Sequence, residues 1–432
     1  MKRVAITTLG CKTNQFESAA MIEQLESSGY GIVPFNEIAD IYIINSCTVT
    51  ARTDAETRRL IRRARRLNPD ARIVATGCYV QVTPGELEQM PELDSVLGNV
   101  EKLEIAALLE TSDHKISDIS IEQESGPLKL TSFAEHTRAF LQAQSGCNSF
   151  CTYCIVPYAR GRSRSALPCE VLDGIRTLAA NGYKEVVLTG IHLGGYGLDL
   201  TPKTSLTELV KTIDREKLIP RLRIGSVEPN EVNDELLATM AESQIICPHL
   251  HLPLQSCSDT VLMRMGRTYN SKFIRALASK ISSALPDTFI GADVIAGFPG
   301  ETEAEFEATV TLLKELPVSD LHVFPYSSRP GTAAAAMPGH LPAGLIKERA
   351  ARLRGIADIK KRMFLEKMIE KDLDVLIQGY DSKRLIYKGL SRNYIVVSFT
   401  GKDLSINHEM RVSIQSSNGE ICSGIPSGFS FD

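Results

Sequence analysis

Hydrophobic and polar positions follow three different patterns along the chain, and the first of these patterns covers residues 1–109. Short apolar or β-branched runs are each followed by a segment whose apolar positions recur at helical spacing. Strands that alternate with helices in this way predict a parallel α/β sheet. The predicted strands are Arg3–Thr8, Ile41–Asn45 and Arg72–Thr76.

The same alternation resumes after a polar stretch, residues 110–136, which we interpret as a surface linker. Six strand patterns with helical patterns between them predict a partial, open (β/α)6 barrel over residues 137–362, because a closed barrel needs eight units. We expect the active site in the loops at the carboxyl ends of these strands. The predicted strands are Ala139–Ala143, Glu185–Leu188, Arg221–Ile224, His249–Leu252, Phe289–Ile295 and Leu321–Phe324.

The third pattern begins after a predicted helical connector, Lys361–Lys371, and contains short strands only. Five strands of this kind predict a small all-β barrel over residues 363–432. The fold class expected for the whole chain is therefore α/β, with an N-terminal parallel sheet, a partial (β/α)6 barrel and a small all-β barrel. The last five strands are Leu373–Gln378, Leu385–Leu390, Tyr394–Phe399, Met410–Ile414 and Glu420–Ser423.

Composition and cysteine content predict the compartment in which the protein works. With 43% hydrophobic and 23% charged residues, the 432-residue chain has the content of an ordinary globular protein of two or three domains. The sequence contains no run of about 18 apolar residues, so no transmembrane helix is predicted. The apolar stretch Val4–Leu9 is too short for a signal peptide, so we expect a cytoplasmic protein without a membrane partner. Ten cysteines in that reducing compartment indicate metal or redox chemistry rather than disulfides.

Three of these cysteines lie close together in the stretch 144–164, QSGCNSFCTYCIVPYARGRSR. Cys147, Cys151 and Cys154 have the spacing C-x3-C-x2-C, and thiolates at such short offsets are suited to one iron–sulfur cluster. Three ligands leave one iron without a protein ligand, and an open coordination position allows chemistry. A zinc loop is the alternative, although zinc sites usually pair two such elements and no fourth ligand lies nearby in sequence.

A second set of cysteines follows the three strands of the first region: Cys11, Cys47 and Cys78. Because the carboxyl ends of parallel strands meet at one edge of a sheet, this pattern predicts a second three-thiolate site. The alternative is that each is a small buried hydrophobe. No cluster role is assigned to the other cysteines, Cys257 among them, and three are predicted to be core residues: Cys169, Cys247 and Cys422.

The cysteine loop, with Tyr153 before its third cysteine, resembles the signature of radical S-adenosylmethionine (SAM) enzymes. The segments CIVPYARGRSRS, TLGCKTNQFES, INSCTVT and ATGCYVQ are similar to the methylthiotransferase family. The resemblance implies SAM as cofactor and two [4Fe–4S] clusters, both catalytic. One is held by Cys147, Cys151 and Cys154 and cleaves SAM to a radical that removes hydrogen from a C–H bond. The auxiliary cluster, held by the other three cysteines, presents sulfur, and a second SAM supplies the methyl group.

The resemblance also implies SAM-binding residues near the strand ends. LTG follows the second barrel strand without the literal GGE of the superfamily, RIGSVEP follows the third, and DVIAGFPGET carries glycines that permit close approach to a ligand. Arginines after the cysteine loop are suited to clamp a carboxylate. The predicted SAM-binding residues are Tyr153, Arg164, Thr189, Gly190, Ser226, Glu228, Ile295 and Gly297.

RNA contact is expected from two regions. The helical pattern 51–67 carries arginines outside its apolar face that favour either an RNA backbone or a solvated surface, namely Arg58, Arg59, Arg62, Arg63, Arg65 and Arg66. The C-terminal barrel resembles a TRAM-type RNA-binding domain. Its candidate contacts, each of which is also compatible with plain solvation, are Lys383, Arg384, Lys388, Arg392 and Tyr394. The net charge of −4 does not favour nucleic acid by itself. His249 and His251 suggest a metal pair or, more simply, one histidine inside the barrel and one outside.

The choice of substrate depends on Lys12-Thr13 in LGCKTNQFES. This segment most resembles the branch that adds a methylthio group to C2 of N6-threonylcarbamoyladenosine at position 37 of tRNA. Branches that modify isopentenyladenosine in tRNA or a ribosomal-protein aspartate are the nearest alternatives. The implied partners are tRNA and an electron donor such as a flavodoxin or a ferredoxin. Two other classes stay open: a non-catalytic iron–sulfur RNA-binding or electron-transfer protein, and a zinc-binding tRNA adaptor.

Overall fold

A computed structural model describes residues 1–110, 114–122, 130–133 and 137–427, so part of the predicted linker lies outside the described residues. The described helices and strands form three groups in chain order. None of the helices in these ranges has the length and apolarity needed to span a membrane. The exact domain boundaries stay predictions.

The N-terminal group is a parallel five-stranded sheet with strand order β2-β1-β3-β4-β5, as the alternation predicted. Apolar clusters cover both faces, so the central strand β3 is buried along its whole length. The outer strands β2 and β5 were not predicted, because two or three residues are too few to show a pattern. The elements are β1 (Arg3–Thr8), α1 (Lys12–Ser27), β2 (Gly31–Ile32), β3 (Ile41–Ser46), α2 (Ala51–Leu67), β4 (Arg72–Gly77), α3 (Cys78–Val82), α4 (Pro84–Glu88), β5 (Ser95–Leu97) and α5 (Ile105–Leu108).

The central group contains the six expected strands in parallel, plus a short antiparallel edge strand, β7. Isolated bridges connect β9 to β10, so the strands form an open barrel in the order of the chain. The elements are β6 (Arg138–Ser145), α6 (Val156–Arg160), β7 (Arg164–Ser165), α7 (Pro168–Ala180), β8 (Glu185–Gly190), α8 (Leu206–Glu216), β9 (Arg221–Ile224), α9 (Asp234–Glu242), β10 (His249–Gln255), α10 (Asp259–Arg264), α11 (Ser271–Ala284), β11 (Phe289–Ala296), α12 (Glu303–Glu315), β12 (Asp320–Pro325) and α13 (Ala343–Glu366).

Two helices extend the barrel core beyond its own βα units. Phe16 and Ala20 of α1 join the apolar core of the barrel, so the N-terminal group packs directly on β6. On the other side, α13 packs on β11 and β12. The predicted helical connector 361–371 is helical as far as Glu366, where it forms the end of α13, and the prediction is wrong for residues 367–371.

The C-terminal group is a closed five-stranded barrel in the order β13-β14-β15-β17-β16. Its pairs are antiparallel except β15 with β17, and its core includes Leu365 and Met368 next to the end of α13. This group is the small all-β barrel that the strand pattern predicted. The strands are β13 (Asp372–Asp381), β14 (Ile386–Ser391), β15 (Val396–Phe399), β16 (Glu409–Ser417) and β17 (Cys422–Pro426).

Buried arginines join this barrel to the amino-terminal ends of the central strands. Arg221 and Arg223 of β9 are completely buried, and both pair with the Glu185 carboxylate, their Nε atoms each 2.8 Å from one of its oxygens. Arg221 also donates to the Leu390 carbonyl over 3.0 Å. The Tyr394 ring lies over Arg223, with its centroid 5.0 Å from the guanidinium carbon. The C-terminal barrel therefore closes one end of the central barrel and leaves the opposite end to the cysteine loop.

Candidate active site

The cysteine loop, residues 146–155, follows β6 directly at the open end of the barrel. The Cys147 amide donates to the Gly161 carbonyl over 3.1 Å, and the Thr152 amide donates to the Met265 carbonyl over 3.0 Å. These backbone bonds hold the loop from two sides. The three sulfurs are therefore presented by a fixed backbone at the end where barrel enzymes perform their chemistry.

Each sulfur of the cysteine loop has different surroundings. Although burial opposes the effect, a hydrogen bond from His192 lowers the pKa of Cys147. Arg267 Nη1 donates to Cys151 Sγ over 3.3 Å. Burial raises the pKa of Cys154 to about 12. Three thiol ligands, two of them with a cationic donor beside the sulfur, fit an iron–sulfur cluster, since such clusters are bound by thiolates and tuned by hydrogen bonds to them.

The strand-end cysteines, Cys11, Cys47 and Cys78, follow three adjacent strands of the N-terminal sheet. Burial first, and then repulsion by the thiols of Cys78 and Cys11, raise the pKa of Cys47 to about 12. A methyl group added at Gly10 would lie 2.8 Å from Cys47 Sγ, so the loops close tightly around the sulfurs. Thiols that repel one another as thiolates fit a cationic centre, and the irons of a cluster supply that charge.

A buried network of charged groups supports the strand-end cysteines. Arg160 of α6 donates from Nε to Cys78 Sγ over 3.2 Å and from Nη2 to the Glu17 carboxylate over 3.1 Å. Lys102 lies 2.6 Å from the same carboxylate. Although burial acts in the opposite direction, Arg160 and Lys102 lower the pKa of Glu17 to about 2. The carboxylate that Arg160 binds is thus that of Glu17, within the chain itself. The same guanidinium, which belongs to the central group, also donates to a sulfur of the strand-end site.

A cavity of about 190 Å³ lies next to both cysteine sets, and Cys154 is the one cysteine of the six that lines it. Tyr153 and Cys154 of the cysteine loop form one wall, and Val49 and Thr50 form another. The Val49 amide donates to Cys47, which places a strand-end sulfur next to this wall. The rest of the lining comes mainly from β10, β11 and β12 and includes Gln255, Asp293, Ile295, Phe324, Pro325, Tyr326 and Ser327. The cavity therefore lies between the two sites.

Four of the predicted SAM-binding residues lie near the cysteine loop or follow β9. Tyr153 and Ile295 line the shared cavity. Glu228 pairs with Arg267, with 3.1 Å between Oε1 and Nη1, and burial raises the pKa of this carboxyl. Because Arg267 also donates to Cys151 Sγ, Glu228 is linked to the cysteine loop through Arg267. Ser226 is exposed after β9.

The other four predicted SAM-binding residues lie away from the shared cavity. Thr189 and Gly190 end β8, and the buried Thr189 hydroxyl donates to a backbone carbonyl of β6 over 3.3 Å. A methyl group added at Gly297 would lie 2.7 Å from Ile346 Cγ1, so packing of α13 already requires this glycine. Arg164 lines a separate cavity of about 580 Å³ between α1, β6 and α7. Cofactor contact by these residues stays a prediction.

The arginines of α2 are mostly paired within the N-terminal group. A helix whose cations already have carboxylate partners offers less free charge to a phosphate backbone. Among the described residues, Arg52, Arg63 and Arg66 of this helix have no ion-pair partner. The pairs are Arg58 with Glu86, Arg59 with Glu56, Arg62 with Glu92 and Arg65 with Asp94.

Two of the residues proposed to contact RNA face the central barrel instead. Arg392 pairs with Glu409 and donates to the Gln244 carbonyl over 2.6 Å. The Tyr394 ring centroid lies 4.4 Å from that of His249. Both residues hold the C-terminal barrel in place. The remaining three candidates are exposed: Lys383, Arg384 and Lys388.

Two expectations about single residues are wrong. His249 and His251 do not lie on opposite faces of β10, because residues two apart in a strand share a face. His249 is buried against Tyr394, and His251 Nε2 lies 2.7 Å from Asp293 Oδ1. Cys169 is exposed on α7 and is not a core residue, whereas Cys247 and Cys422 are buried as predicted.

Sequence reasoning missed several residues that support the two sites, namely Asn14, Glu17, Lys102, His192 and Arg267. Asn14 lies three residues after Cys11, about one helical turn, and Glu17 lies three residues after Asn14; this spacing was the available signal. No local pattern indicates Lys102, His192 or Arg267, because their partners are distant in the chain.

Comparison with protein families finds two matches. Residues 3–98 match a family described as uncharacterized, UPF0004, and residues 141–313 match the radical SAM superfamily. A similar solved structure is the radical SAM methyltransferase TsrM from Kitasatospora setae, with a TM-score of 0.55, 15% identity, and coverage of 78% of this chain and 75% of the other. At that identity, the likeness concerns the fold alone.

Sequence relatives extend over almost the whole chain. The threonylcarbamoyladenosine tRNA methylthiotransferase of Bacillus subtilis is 38% identical, covering 96% of this chain and 94% of its own. The enzyme of that name from Thermotoga maritima is 37% identical, with coverage of 98% and 96%. The tRNA-2-methylthio-N(6)-dimethylallyladenosine synthase of Desulfitobacterium hafniense is 33% identical, covering 96% of each.

Proposed function

Since the chain belongs to the family of radical SAM tRNA methylthiotransferases, we propose that it adds a methylthio group to C2 of N6-threonylcarbamoyladenosine at position 37 of tRNA. One observation carries the proposal: a single cavity is lined by Cys154 of one cysteine set and by Val49, whose amide donates to Cys47 of the other set. A cavity next to both sets brings one substrate atom within reach of both a radical and a sulfur source. Relatives named for threonylcarbamoyladenosine have 36–40% identity, against 33% for those named for dimethylallyladenosine, which favours this substrate over isopentenyladenosine.

The proposed cofactors are SAM and two [4Fe–4S] clusters, held by Cys147, Cys151 and Cys154 and by Cys11, Cys47 and Cys78. When bound, the first cluster supplies the electron that cleaves SAM and the second supplies sulfur. The protein residues position and shield this chemistry. Tyr153 and Ile295 give the cavity apolar walls that exclude water from a reactive intermediate.

The charged groups around the sulfurs have separate tasks in this proposal. Arg267 and His192 donate to the cysteine loop, while Arg160 donates to Cys78. Hydrogen bonds to cluster ligands set reduction potentials. The two clusters are therefore tuned by different cations, in line with their different roles as electron source and sulfur source. An electron donor such as a flavodoxin or ferredoxin is part of the proposal, as is a cytoplasmic location, where tRNA is modified.

Nucleoside mass spectrometry of tRNA from cells that lack the protein, with and without complementation, tests this function. We expect loss of the 2-methylthio form of threonylcarbamoyladenosine and its return on complementation. Loss of 2-methylthio-isopentenyladenosine instead would retain the chemistry and reject the substrate. Unchanged tRNA nucleosides would reject tRNA as the substrate and direct attention to the ribosomal-protein aspartate.

A further inference from the structure

The segment that follows β12, residues 327–334, touches the surroundings of both cysteine sites. At its start, Ser327 lines the shared cavity, and its hydroxyl accepts a hydrogen bond over 3.0 Å from the amide of Ala51, the first residue of α2. At its end, the Ala334 amide donates over 2.7 Å to the carbonyl of Thr152 in the cysteine loop. This bridging segment, 327–334, therefore connects the N-terminal group to the cysteine loop.

Arg329 makes the main side-chain contacts of the bridging segment with the N-terminal group. Its Nη2 atom donates to Thr48 Oγ1 over 2.7 Å and lies 2.5 Å from Asp54 Oδ2. The Thr48 hydroxyl donates in turn to Asp54 Oδ1 over 2.8 Å, and all three side chains are buried. Because Thr48 directly follows Cys47, this closed network holds the segment that carries a strand-end sulfur.

This network is a device for geometry more than for stability. The first turn of α2 already has its own cap, since the Thr50 side chain accepts from the Thr53 amide. A buried ion pair contributes little net stability, because both charges lose their hydration. It does favour a single arrangement, since Arg329 and Asp54 are satisfied only when two segments 275 positions apart in the chain lie in one relative position.

The bridging segment also has a fixed internal shape. The amide and the hydroxyl of Thr332 donate to the Arg329 carbonyl over 3.2 and 2.7 Å, which closes a tight turn between the two ends of the segment. Beyond this turn, Ala334 belongs to a buried apolar cluster with Phe298, and Tyr153 of the cysteine loop packs against that cluster. The turn therefore sets the spacing between the contact with Thr48 and the contact with the cysteine loop.

We propose that Arg329 is a positioning residue, which through the bridging segment sets the distance and orientation between the Cys47 segment and the cysteine loop. The inference rests on the proposed function, because it concerns how two cysteine sites act on one substrate. Val49 and Thr50 line the cavity on one side, and Cys154 lines it on the other. A misplacement of about 1 Å can cost about 100-fold in rate. Loss of Arg329 should therefore separate SAM cleavage from methylthiolation.

Reconstituted holoenzyme with an anticodon stem-loop RNA that carries threonylcarbamoyladenosine tests this proposal. The measured quantity is the amount of 5′-deoxyadenosine formed per methylthio group added. Arg329→Met should raise this ratio by about 10- to 100-fold while SAM cleavage continues. Arg329→Lys should give a smaller rise, because it keeps the charge but lacks the planar fork of donors. Thr48→Val, which keeps the shape and removes one acceptor, should also give a smaller rise.

A double variant separates positioning from loss of stability. Arg329→Met alone leaves the buried Asp54 carboxylate without its cation, so denaturant unfolding of the cluster-free chain should show a lower midpoint. Adding Asp54→Asn removes the unpaired charge and should restore most of that midpoint. The ratio of 5′-deoxyadenosine to product should nevertheless stay high, because the two segments are still not held together. A double variant that recovers both the midpoint and the ratio overturns the proposal.

Hydrogen–deuterium exchange gives a readout that does not depend on activity. In Arg329→Met, peptides covering residues 47–54 should exchange faster, in the holoenzyme and in the cluster-free chain. Arg176→Met, which removes an exposed ion pair with Asp173 and Glu216, should keep the wild-type ratio and exchange. An unchanged ratio or unchanged exchange in Arg329→Met overturns the proposal, as does an equal rise of the ratio in Arg176→Met. A wild type that forms no methylthio product rejects the proposed function, whereas the exchange result judges Arg329 independently.

Discussion

The two cysteine sites differ in how the chain builds them. The cysteine loop places three thiols within eight consecutive residues, 147–154, whereas the strand-end site takes one thiol from the segment that follows each of three strands. The first depends on local backbone bonds, such as that from Cys147 to Gly161. The second exists only when the parallel sheet is formed. Three thiols are therefore brought together by the local sequence at one site and by the topology of the sheet at the other.

The cations beside the sulfurs differ as well. At the strand-end site, Glu17 is shared by Arg160 and Lys102, so the buried group carries a net positive charge. At the cysteine loop, Arg267 is balanced by Glu228, and His192 by Glu231. Net charge near a cluster shifts its potential. The difference indicates that the strand-end site is built to stabilise more negative charge than the cysteine loop.

Removing one ligand from each set gives the largest expected effect. Cys147→Ala should abolish cleavage of SAM to 5′-deoxyadenosine, while Cys47→Ala should leave cleavage and remove methylthiolation, because two thiolates do not hold the cluster that three hold. Chromatography of 5′-deoxyadenosine and mass spectrometry of the RNA product measure the two activities. Cys169→Ala, at an exposed thiol, serves as the control. Full product formation by Cys47→Ala would falsify the auxiliary site.

Replacing Arg160 and Arg267 in turn tests whether different cations tune the two cysteine sites. Arg160→Met leaves Glu17 with Lys102 alone, and breaking a buried ion pair costs about 3 kcal/mol of unfolding free energy. Methylthiolation should fall more than SAM cleavage. Arg267→Met should cost about 2 kcal/mol, since Glu228 loses its partner, and should reduce SAM cleavage first. Denaturant unfolding and redox titration followed by electron paramagnetic resonance report both effects. Equal loss of the two activities in both variants would contradict separate tuning.

Glycines near each site provide a smaller, steric test. Gly10 has φ of 99° and Gly146 has φ of 70°. A methyl group would lie 2.8 Å from Cys47 Sγ at the first and 1.8 Å from the Arg162 carbonyl oxygen at the second. Each alanine variant should lose about 2 kcal/mol from positive φ and overpacking. Iron content should fall at the nearby cluster only.

The matched control for this steric test is Gly182→Ala. Gly182 has φ of 91°, but nothing lies within 4 Å of an added methyl group. This variant should lose about 1 kcal/mol from backbone strain alone and should retain both clusters. If it loses iron like the other two, then backbone strain, and not steric contact at the cysteine sites, explains the effect.

Sequence alone predicted the parts of the molecule that short spacing or regular alternation encodes. The strands Arg3–Thr8 and Arg221–Ile224 were predicted with their exact bounds. Two-residue strands such as β2 carry no pattern, because their pairing is decided by neighbouring strands. The partnership of Arg160 with Glu17 joins residues 143 positions apart and depends on the docking of α1 on β6. The support of the strand-end site therefore could not be predicted, although its cysteines could.

The smallest expected effect is a difference in pH dependence between the two partner carboxylates. The folded pKa of Glu17 is about 2, below its ordinary value of 4.5, so its stabilising effect is complete above pH 4.5 and is lost as the pH falls toward 2. The pKa of Glu228 is raised by burial, so ionisation of Glu228 destabilises the fold and protonation relieves this effect. On acidification, the stability difference between wild type and Glu17→Gln should therefore shrink, by about 0.4 kcal/mol at pH 4.5. Over the same pH change, the unfolding free energy of the wild type should rise relative to that of Glu228→Gln. Denaturant unfolding of the cluster-free chain at pH 7 and pH 4.5 measures both, and slopes of the same sign would refute the electrostatic contrast between the sites.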